Sequence, residues 1–269
     1  MLIVGELINS SRKEVGAEIK NKNVKVIQGL AQSQIEAGAT YLDVNCGTQV
    51  YDEGETMEWL VKSILEVSDA PLCIDSPSHE TLAVGLEAAK ANGQQQMINS
   101  ITAEVDRYNA VLPLIKKYNT KIVALCMDDR GMPSTAEDRI EIADKLVNGL
   151  VKDGVPMDAI FLDPLVKPVS VNDKYGLEVL QAIKYIRDKY PEVHITCGVS
   201  NISFGLPKRK VINGAFITLC VSNGMDACII DPLDKEMMGL IYSSQMLLGK
   251  DNNCRQYLTA FKKRQLITN

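Results

Sequence analysis

The chain has 269 residues, 46% apolar and 23% charged, the balance of a folded globular domain and not of a disordered chain. Lys and Arg number 29 against 34 Asp and Glu, a net charge of −5 with no basic cluster and only 5% aromatics, so nucleic acid is not an expected partner. No apolar run approaches the roughly 18 residues of a membrane span, and MLIVGELINSSRK has no basic stretch ahead of its apolar one, so neither a membrane segment nor a signal peptide is expected and the location reads as cytoplasmic.

In chain order, short β-branched apolar runs alternate with longer helix-period stretches. Leu2–Asn9 precedes a helical stretch near 22–38, Tyr41–Cys46 one near 56–67, Leu72–Asp75 one near 78–92, and Met97–Ile101 one near 105–118. Lys121–Met127 precedes 135–153, Ala159–Asp163 precedes 173–189, Val193–Gly198 precedes 208–223, and Ala227–Ile230 precedes 235–248. The fifth helix has the clearest period, with Ile140, Ala143, Val147, Leu150 and Val151 on one face, and Ser134 followed by Glu137 reads as its capping box. Eight strand–helix units in a chain of this length predict an α/β fold: a (β/α)8 TIM barrel, one domain over residues 1–269. From about Lys250 a short extension carrying Tyr257, Leu258 and Phe261 reads as a packing or dimer element. An open doubly wound sheet is the alternative, but neither a Rossmann glycine fingerprint nor a Walker A loop is found.

The seven cysteines are dispersed, odd in number and without a CxxC pair, which argues against a disulfide framework or a zinc knuckle. Five of them, at 46, 73, 126, 197 and 228, lie in apolar runs and read as small buried hydrophobes. His79 and His194 are the only histidines, too few for a histidine-held catalytic zinc, and no bound metal is expected.

In a TIM barrel the chemistry sits at the C-terminal ends of the strands. Here the runs stop on Asn9, Asp43-Val44-Asn45, Asp75-Ser76, Asn99-Ser100, Asp128-Asp129, Asp163-Pro164, Gly198-Val199-Ser200-Asn201 and Asp231-Pro232. Any one Asp or Asn there could simply turn the chain or cap a helix. A ring of them around one cavity suits a neutral heterocycle rich in N–H donors: a carboxylate accepts two adjacent N–H groups of a fused pyrimidinone, and a carboxamide meets an edge with both a carbonyl and an N–H. Three carboxylates could instead hold Mg²⁺, and composition alone does not separate the two.

Over essentially its whole length the chain resembles the pterin-binding methyltransferases, namely the methyltetrahydrofolate:corrinoid/iron–sulfur protein methyltransferases and the folate module of cobalamin-dependent methionine synthase. The matching segments are GELIN (5–9), LDVNCG (42–47), MEWLV (57–61), CIDS (73–76), MINS (97–100), LDPL (162–165), GVSNISFGLPKR (198–209), INGAF (212–216) and GMDACIID (224–231). The resemblance implies a homodimeric barrel that moves the N5-methyl group between methyltetrahydrofolate and the cobalt of a corrinoid held by a separate corrinoid protein. It further implies that Asp75, Asn99, Asp128 and Asp163 bind the pterin, that Asn201 reaches N5, and that Gly198, Ser200 and Arg209 complete that loop. Asp128 stands where the family often has Asn, Leu7 where it often has Arg, and FGLPKR replaces a more polar loop. The DxHxxG motif of a cobalamin-binding domain is absent, so the corrinoid is expected on a partner docked over the strand C-termini. Two other readings are a dihydropteroate synthase-like condensing enzyme, which expects a Ser-Arg-Lys-like motif where Ser200-Asn201 stands, and a non-catalytic folate-binding module.

Overall fold

The computed structural model describes residues 1–49, 51–263, 265 and 266. Its eight strands are β1 (Leu2–Asn9), β2 (Tyr41–Asn45), β3 (Leu72–Asp75), β4 (Met97–Thr102), β5 (Lys121–Leu125), β6 (Ile160–Asp163), β7 (His194–Ile195) and β8 (Ala227–Ile230). All pair in parallel, in the order β7-β6-β5-β4-β3-β2-β1-β8. Helices α1 (Lys13–Lys20) and α2 (Val24–Glu36) both follow β1. One helix then follows each later strand: α3 (Glu53–Leu65), α4 (His79–Ala89), α5 (Val105–Tyr118), α6 (Ala136–Lys152), α7 (Tyr175–Lys189), α8 (Arg209–Ser222) and α9 (Lys235–Leu247). The result is the (β/α)8 barrel that the alternation implied, with α10 (Arg255–Lys262) added at the end. Among the described residues no helix is long and apolar enough to cross a membrane.

The barrel nearly closes between β7 and β8, where one carboxylate replaces most of a ladder. Ile195 N donates to Asp226 Oδ1 at 2.8 Å, and Asp226 N donates to Ile195 O at 3.3 Å. The second oxygen of Asp226 meets His194 Nδ1 at 2.9 Å and Arg187 at 3.0 Å. His194 therefore belongs to the closure at the far end of the barrel from the strand C-termini. The strand expected over Val193–Gly198 shortens to two residues. Thr196 N still donates to the β6 backbone, at 2.9 Å to Leu162 O, before the chain enters a 3-10 turn over Val199–Ser203.

Strand parity divides the core. Leu42, Val44, Ile74, Ile98 and Leu162 point outward into the layer shared with the helices, while Val4, Tyr41, Cys73, Met97, Val123 and Phe161 fill the barrel. Period-2 alternation carries the inward parity onward to Asp43 and Asn45, to Asp75, to Asn99 and to Asp163. The apolar lumen therefore becomes polar at its C-terminal mouth. In β1 the register slips between Gly5 and Ile8. The buried Gln34 of α2 takes up the slack, its Oε1 accepting from Leu7 N at 2.9 Å. A Cβ on Gly5 would lie 2.5 Å from that oxygen, so the glycine makes room for the splice.

Three local expectations shift. The capping box of α6 is one residue further on, with Asp138 N donating to Thr135 Oγ1 at 3.1 Å and Thr135 N donating to Asp138 Oδ2 at 3.0 Å. The buried face of α6 is rotated as well: Arg139, Ile142, Ala143, Leu146, Val147 and Leu150 are buried, whereas Val151 is exposed. The first helical stretch begins at Lys13 and breaks at 21–23, where Lys22 takes φ 50°. All seven cysteines are free and six are buried, Cys254 being exposed. In the C-terminal extension Ala260 and Leu266 are buried and Leu258 and Phe261 exposed, and residues 264 and 267–269 lie outside the described residues.

Candidate active site

Register sets Asn45, Asp75 and Asn99 at one level of adjacent strands, Asn45 opposite Asp75 and Asp75 opposite Asn99. Asn45 Nδ2 donates to Asp75 Oδ2 at 2.8 Å, and one layer deeper Asp43 Oδ1 accepts from Asn99 Nδ2 at 3.5 Å. Withdrawal from water disfavours the ionised form of both carboxyls. Burial lifts Asp75 to about 6, against the opposing pull of its Asn45 hydrogen bond and the Arg107 charge. Asp43 is lifted well above the carboxylate range, first by burial and then by the neighbouring Asp75. Asp75 is not a helix cap, because Ser78 fills that place on α4, with Thr81 N donating to its Oγ at 3.1 Å.

Arg107 reaches this level from α5. Its Nε and Nη2 donate to Ser100 O at 2.9 and 2.7 Å, Nη2 also to Ser76 O at 2.9 Å, and Nη1 to Pro77 O at 2.5 Å. One side chain thus ties the loop that follows Asp75 to the strand residue that follows Asn99. Beside it a cavity of about 340 Å³ is lined by Asp75, Asn99, Arg107, Leu125 and Met127. Its size and its mixture of apolar wall and a few polar groups suit a small heterocyclic ligand.

Asp163 ends β6 nearly sealed from solvent, at 6% exposure. Its Oδ1 accepts from Leu165 N at 2.8 Å, and the backbone N–H of Gly198 reaches the same carboxyl. Burial outweighs these hydrogen bonds and the charge of Arg139, and lifts the group to about 7. The site therefore holds two carboxyls poised near neutrality, a state that shifted acids and bases often share at functional positions.

The loop after β7 is internally braced. Arg209 Nη2 donates to Ser200 O at 2.7 Å and its Nε to Ser203 Oγ at 3.0 Å, while the guanidinium lies 4.6 Å from the Phe204 ring centre. Arg209 shapes the loop, and its hydrogen bonds do not reach Asp75, Asn99 or Asp163. Ser200 is exposed and borders a second cavity of about 120 Å³ with Glu6 and Asp231. Asn201 is exposed and its N–H donates to Gly198 O at 3.2 Å. A Cβ on Gly198 would sit 3.2 Å from the Asn201 amide nitrogen, so Gly198 leaves that side chain its place. Asp128 lies beyond the end of β5 with its carboxylate engaged by Arg130, at 3.1 Å to Nε and 2.9 Å to Nη2, which holds it below the usual carboxylate range. The fold thus groups Asp75 with Asn99 and places Asp163 beside Gly198, while Asp128 and Arg209 are each committed to a local partner.

Three residues went unselected in the sequence, Glu6, Arg107 and Arg139, while Asp43 and Asn45 stood in the strand-end ring without a role of their own. Parity could have found Asp43, two residues before Asn45. Arg139 left a signal too, a cation three and four residues ahead of Ile142 and Ala143 on a buried stripe. For Arg107 no local pattern exists, since two of its three carbonyl partners, Ser76 and Pro77, lie in the loop after β3 and the third, Ser100, lies in β4. Of the histidines, His79 opens α4 half-exposed beside Glu80, 3.2 Å away.

A barrel that gathers carboxyls and carboxamides around a cavity at its strand C-termini is an enzyme scaffold for a small polar heterocycle. Residues 5–231 match the model of the pterin binding enzyme family, and the chain belongs to that family. It is 37% identical over 265 residues to the methylcorrinoid:tetrahydrofolate methyltransferase of Eubacterium limosum, covering 98% of this chain and 97% of that protein. It is 30% identical over 244 residues to the methionine synthase of Mycobacterium leprae, covering 86% of this chain and 20% of that longer protein. Among solved structures, dihydropteroate synthase of Yersinia pestis with a sulfonamide drug complex superposes with a TM-score of 0.70 at 15% identity, over 92% of this chain and 94% of that one, a likeness of fold.

Proposed function

We propose that this protein moves a methyl group between N5 of tetrahydrofolate and the cobalt of a corrinoid carried by a separate protein. The observation that carries the reading is the pair of buried, near-neutral carboxyls, Asp75 beside Asn99 and Asp163 across the mouth, in a chain related over nearly its full length to a methylcorrinoid:tetrahydrofolate methyltransferase. A carboxylate sequestered from water accepts strongly from the amino and ring N–H groups of a pterin, while Asn99 can donate to and accept from an edge that carries both functions.

In the direction from methylcorrinoid to folate, the N5 lone pair attacks the methyl carbon, the cobalt–carbon bond breaks with both electrons going to cobalt, and N5 loses its proton. In reverse, N5 must be protonated or strongly hydrogen-bonded before the amine can leave. Asn201 cannot exchange a proton at neutral pH, but its carboxamide can stabilise charge developing at N5. Asp75 and Asp163 can take up the proton that N5 loses, or supply it in reverse, through water, because their lifted pKa values of about 6 and about 7 lie near neutrality. The rest is alignment of N5, methyl and cobalt on one line. Five loops on this face, at the mouth where a partner would dock, each expose an apolar side chain, namely Tyr51, Met132, Val171, Phe204 and Leu233. Exposed Leu177, Val211 and Leu219 on α7 and α8 support a homodimer, to be measured by sedimentation.

The test mixes the protein with tetrahydrofolate and a methylated corrinoid protein and follows the cobalt spectrum. Conversion of methyl-Co(III) to Co(I) with formation of methyltetrahydrofolate is the expected result. Folate binding without that conversion would leave a binding module, and condensation of a pterin pyrophosphate with p-aminobenzoate would make it a dihydropteroate synthase.

A further inference from the structure

Arg139 is fully buried, projecting from the inner face of α6 toward the turn that ends β6. No carboxylate forms an ion pair with it among the described residues. Its guanidinium is instead spent on backbone carbonyls: Nε donates to Pro164 O at 2.8 Å, Nη2 to Leu165 O at 3.0 Å, and Nη1 to Thr135 O at 2.8 Å. A buried cation paired only with dipoles is costly to keep, and shape alone would be served by an apolar residue. The turn it grips is also unusual. Leu165 has φ 60°, the left-handed region that a branched side chain avoids, so this conformation persists only if neighbours impose it. Arg139 holds the carbonyls on either side of that residue, and the same twist aims Leu165 N–H at Asp163 Oδ1, 2.8 Å away.

We propose that Arg139 is a positioning residue for pterin binding: by clamping the Pro164-Leu165 turn it fixes the orientation of the Asp163 carboxyl. This rests on the reading of Asp163 as a pterin ligand for its consequence in binding, but not for its geometry. The same guanidinium is the positive charge that faces Asp163, opposing its burial. The other groups facing this pair are Cys126 and Cys197 toward Asp163, and Cys126, Glu178, Asp138 and Tyr175 toward Arg139.

The experiment compares Arg139→Lys and Arg139→Gln with the wild type, alone and with Leu165→Gly, using the full chain. In the ligand-free protein, carbon NMR of the Asp163 side chain should show its titration midpoint moved to higher pH in Arg139→Gln and nearly restored in Arg139→Lys, which keeps the charge but not the three-armed grip. Exchange of the Leu165 amide should speed up in both. Tetrahydrofolate Kd, measured per folded molecule, should rise roughly tenfold in Arg139→Lys, and Leu165→Gly should recover part of that loss because glycine takes the left-handed turn without a clamp. If Arg139→Gln does not fold, Arg139→Lys with and without Leu165→Gly carries the test alone. An unmoved Asp163 midpoint in Arg139→Gln, or unchanged Leu165 exchange in Arg139→Lys, overturns the proposal. A wild type that titrates as described but fails to bind tetrahydrofolate overturns the pterin reading and leaves the clamp standing.

Discussion

Replacing Asp163 by Asn should stabilise the protein and weaken its ligand binding, and the two effects should separate with pH. The folded-state pKa of Asp163 lies at about 7 against an ordinary 3.8, a difference that corresponds to roughly 4 kcal/mol. The folded protein therefore holds more protons than the unfolded chain between these values, and stability falls as pH rises from about 4 to about 7. Above that range the full cost of the buried charge is present. Asparagine keeps an oxygen for Leu165 N–H but carries no charge. At pH 8 the variant should gain up to about 4 kcal/mol, shrinking to under about 2 kcal/mol at pH 5. Urea unfolding at the two pH values reads this directly. In the same variant the amide NH2 would confront pterin donors in a buried site, at a cost of roughly 1–3 kcal/mol, or about 5- to 150-fold in tetrahydrofolate Kd by calorimetry. A stability change that is equal at pH 5 and pH 8, together with undiminished affinity, would refute both the buried-charge account and the ligand role.

Asn201→Ala should lower the single-turnover methyl transfer rate by about 10²–10³ with little change in folate Kd, because its hydrogen bond matters most as charge develops at N5; equal losses in both would make it a binding or structural residue. Asp75→Ala should weaken tetrahydrofolate binding by roughly 1–3 kcal/mol without uncapping α4, whose cap is Ser78, and a matching loss of stability with unchanged affinity would contradict this. Tetrahydrofolate binding at pH 6.5 should release protons, since N–H donors favour the ionised forms of Asp75 and Asp163, whose pKa values lie at about 6 and 7; calorimetry in two buffers of different ionisation enthalpy would show it, and identical heats would count against it. Gly5→Ala should destabilise by roughly 1–3 kcal/mol by displacing the Gln34 oxygen 2.5 Å from the new Cβ, and an unchanged urea midpoint would show that Gln34 can move aside.

The barrel was legible along the chain because each unit announces itself locally. A strand buried on both faces is an unbroken apolar run, a helix repeats every 3.6 residues, and Asp or Asn marks the point where each run meets the loops. That was enough to place Asp75, Asn99 and Asp163 in a ring of strand-end residues, and the resemblance to the pterin-binding methyltransferases singled them out as ligands. It was not enough to say that Asp75 and Asn99 share a level with Asn45, because register is a relation between strands about thirty residues apart. Nor could it show that β1 needs Gln34 to splice its slip, that β7 closes on Asp226, or that Asp128 is already taken by Arg130. Arg107 and Arg139 make the same point most sharply. Each sits on a helix, and each acts on backbone carbonyls that the barrel brings beside it, Ser76 and Pro77 for Arg107 and Pro164 and Leu165 for Arg139. Long side chains reaching distant main-chain atoms leave no period in a sequence, and burial, which lifts Asp75 and Asp163 toward neutrality, is a property of the packed barrel mouth and not of either residue alone.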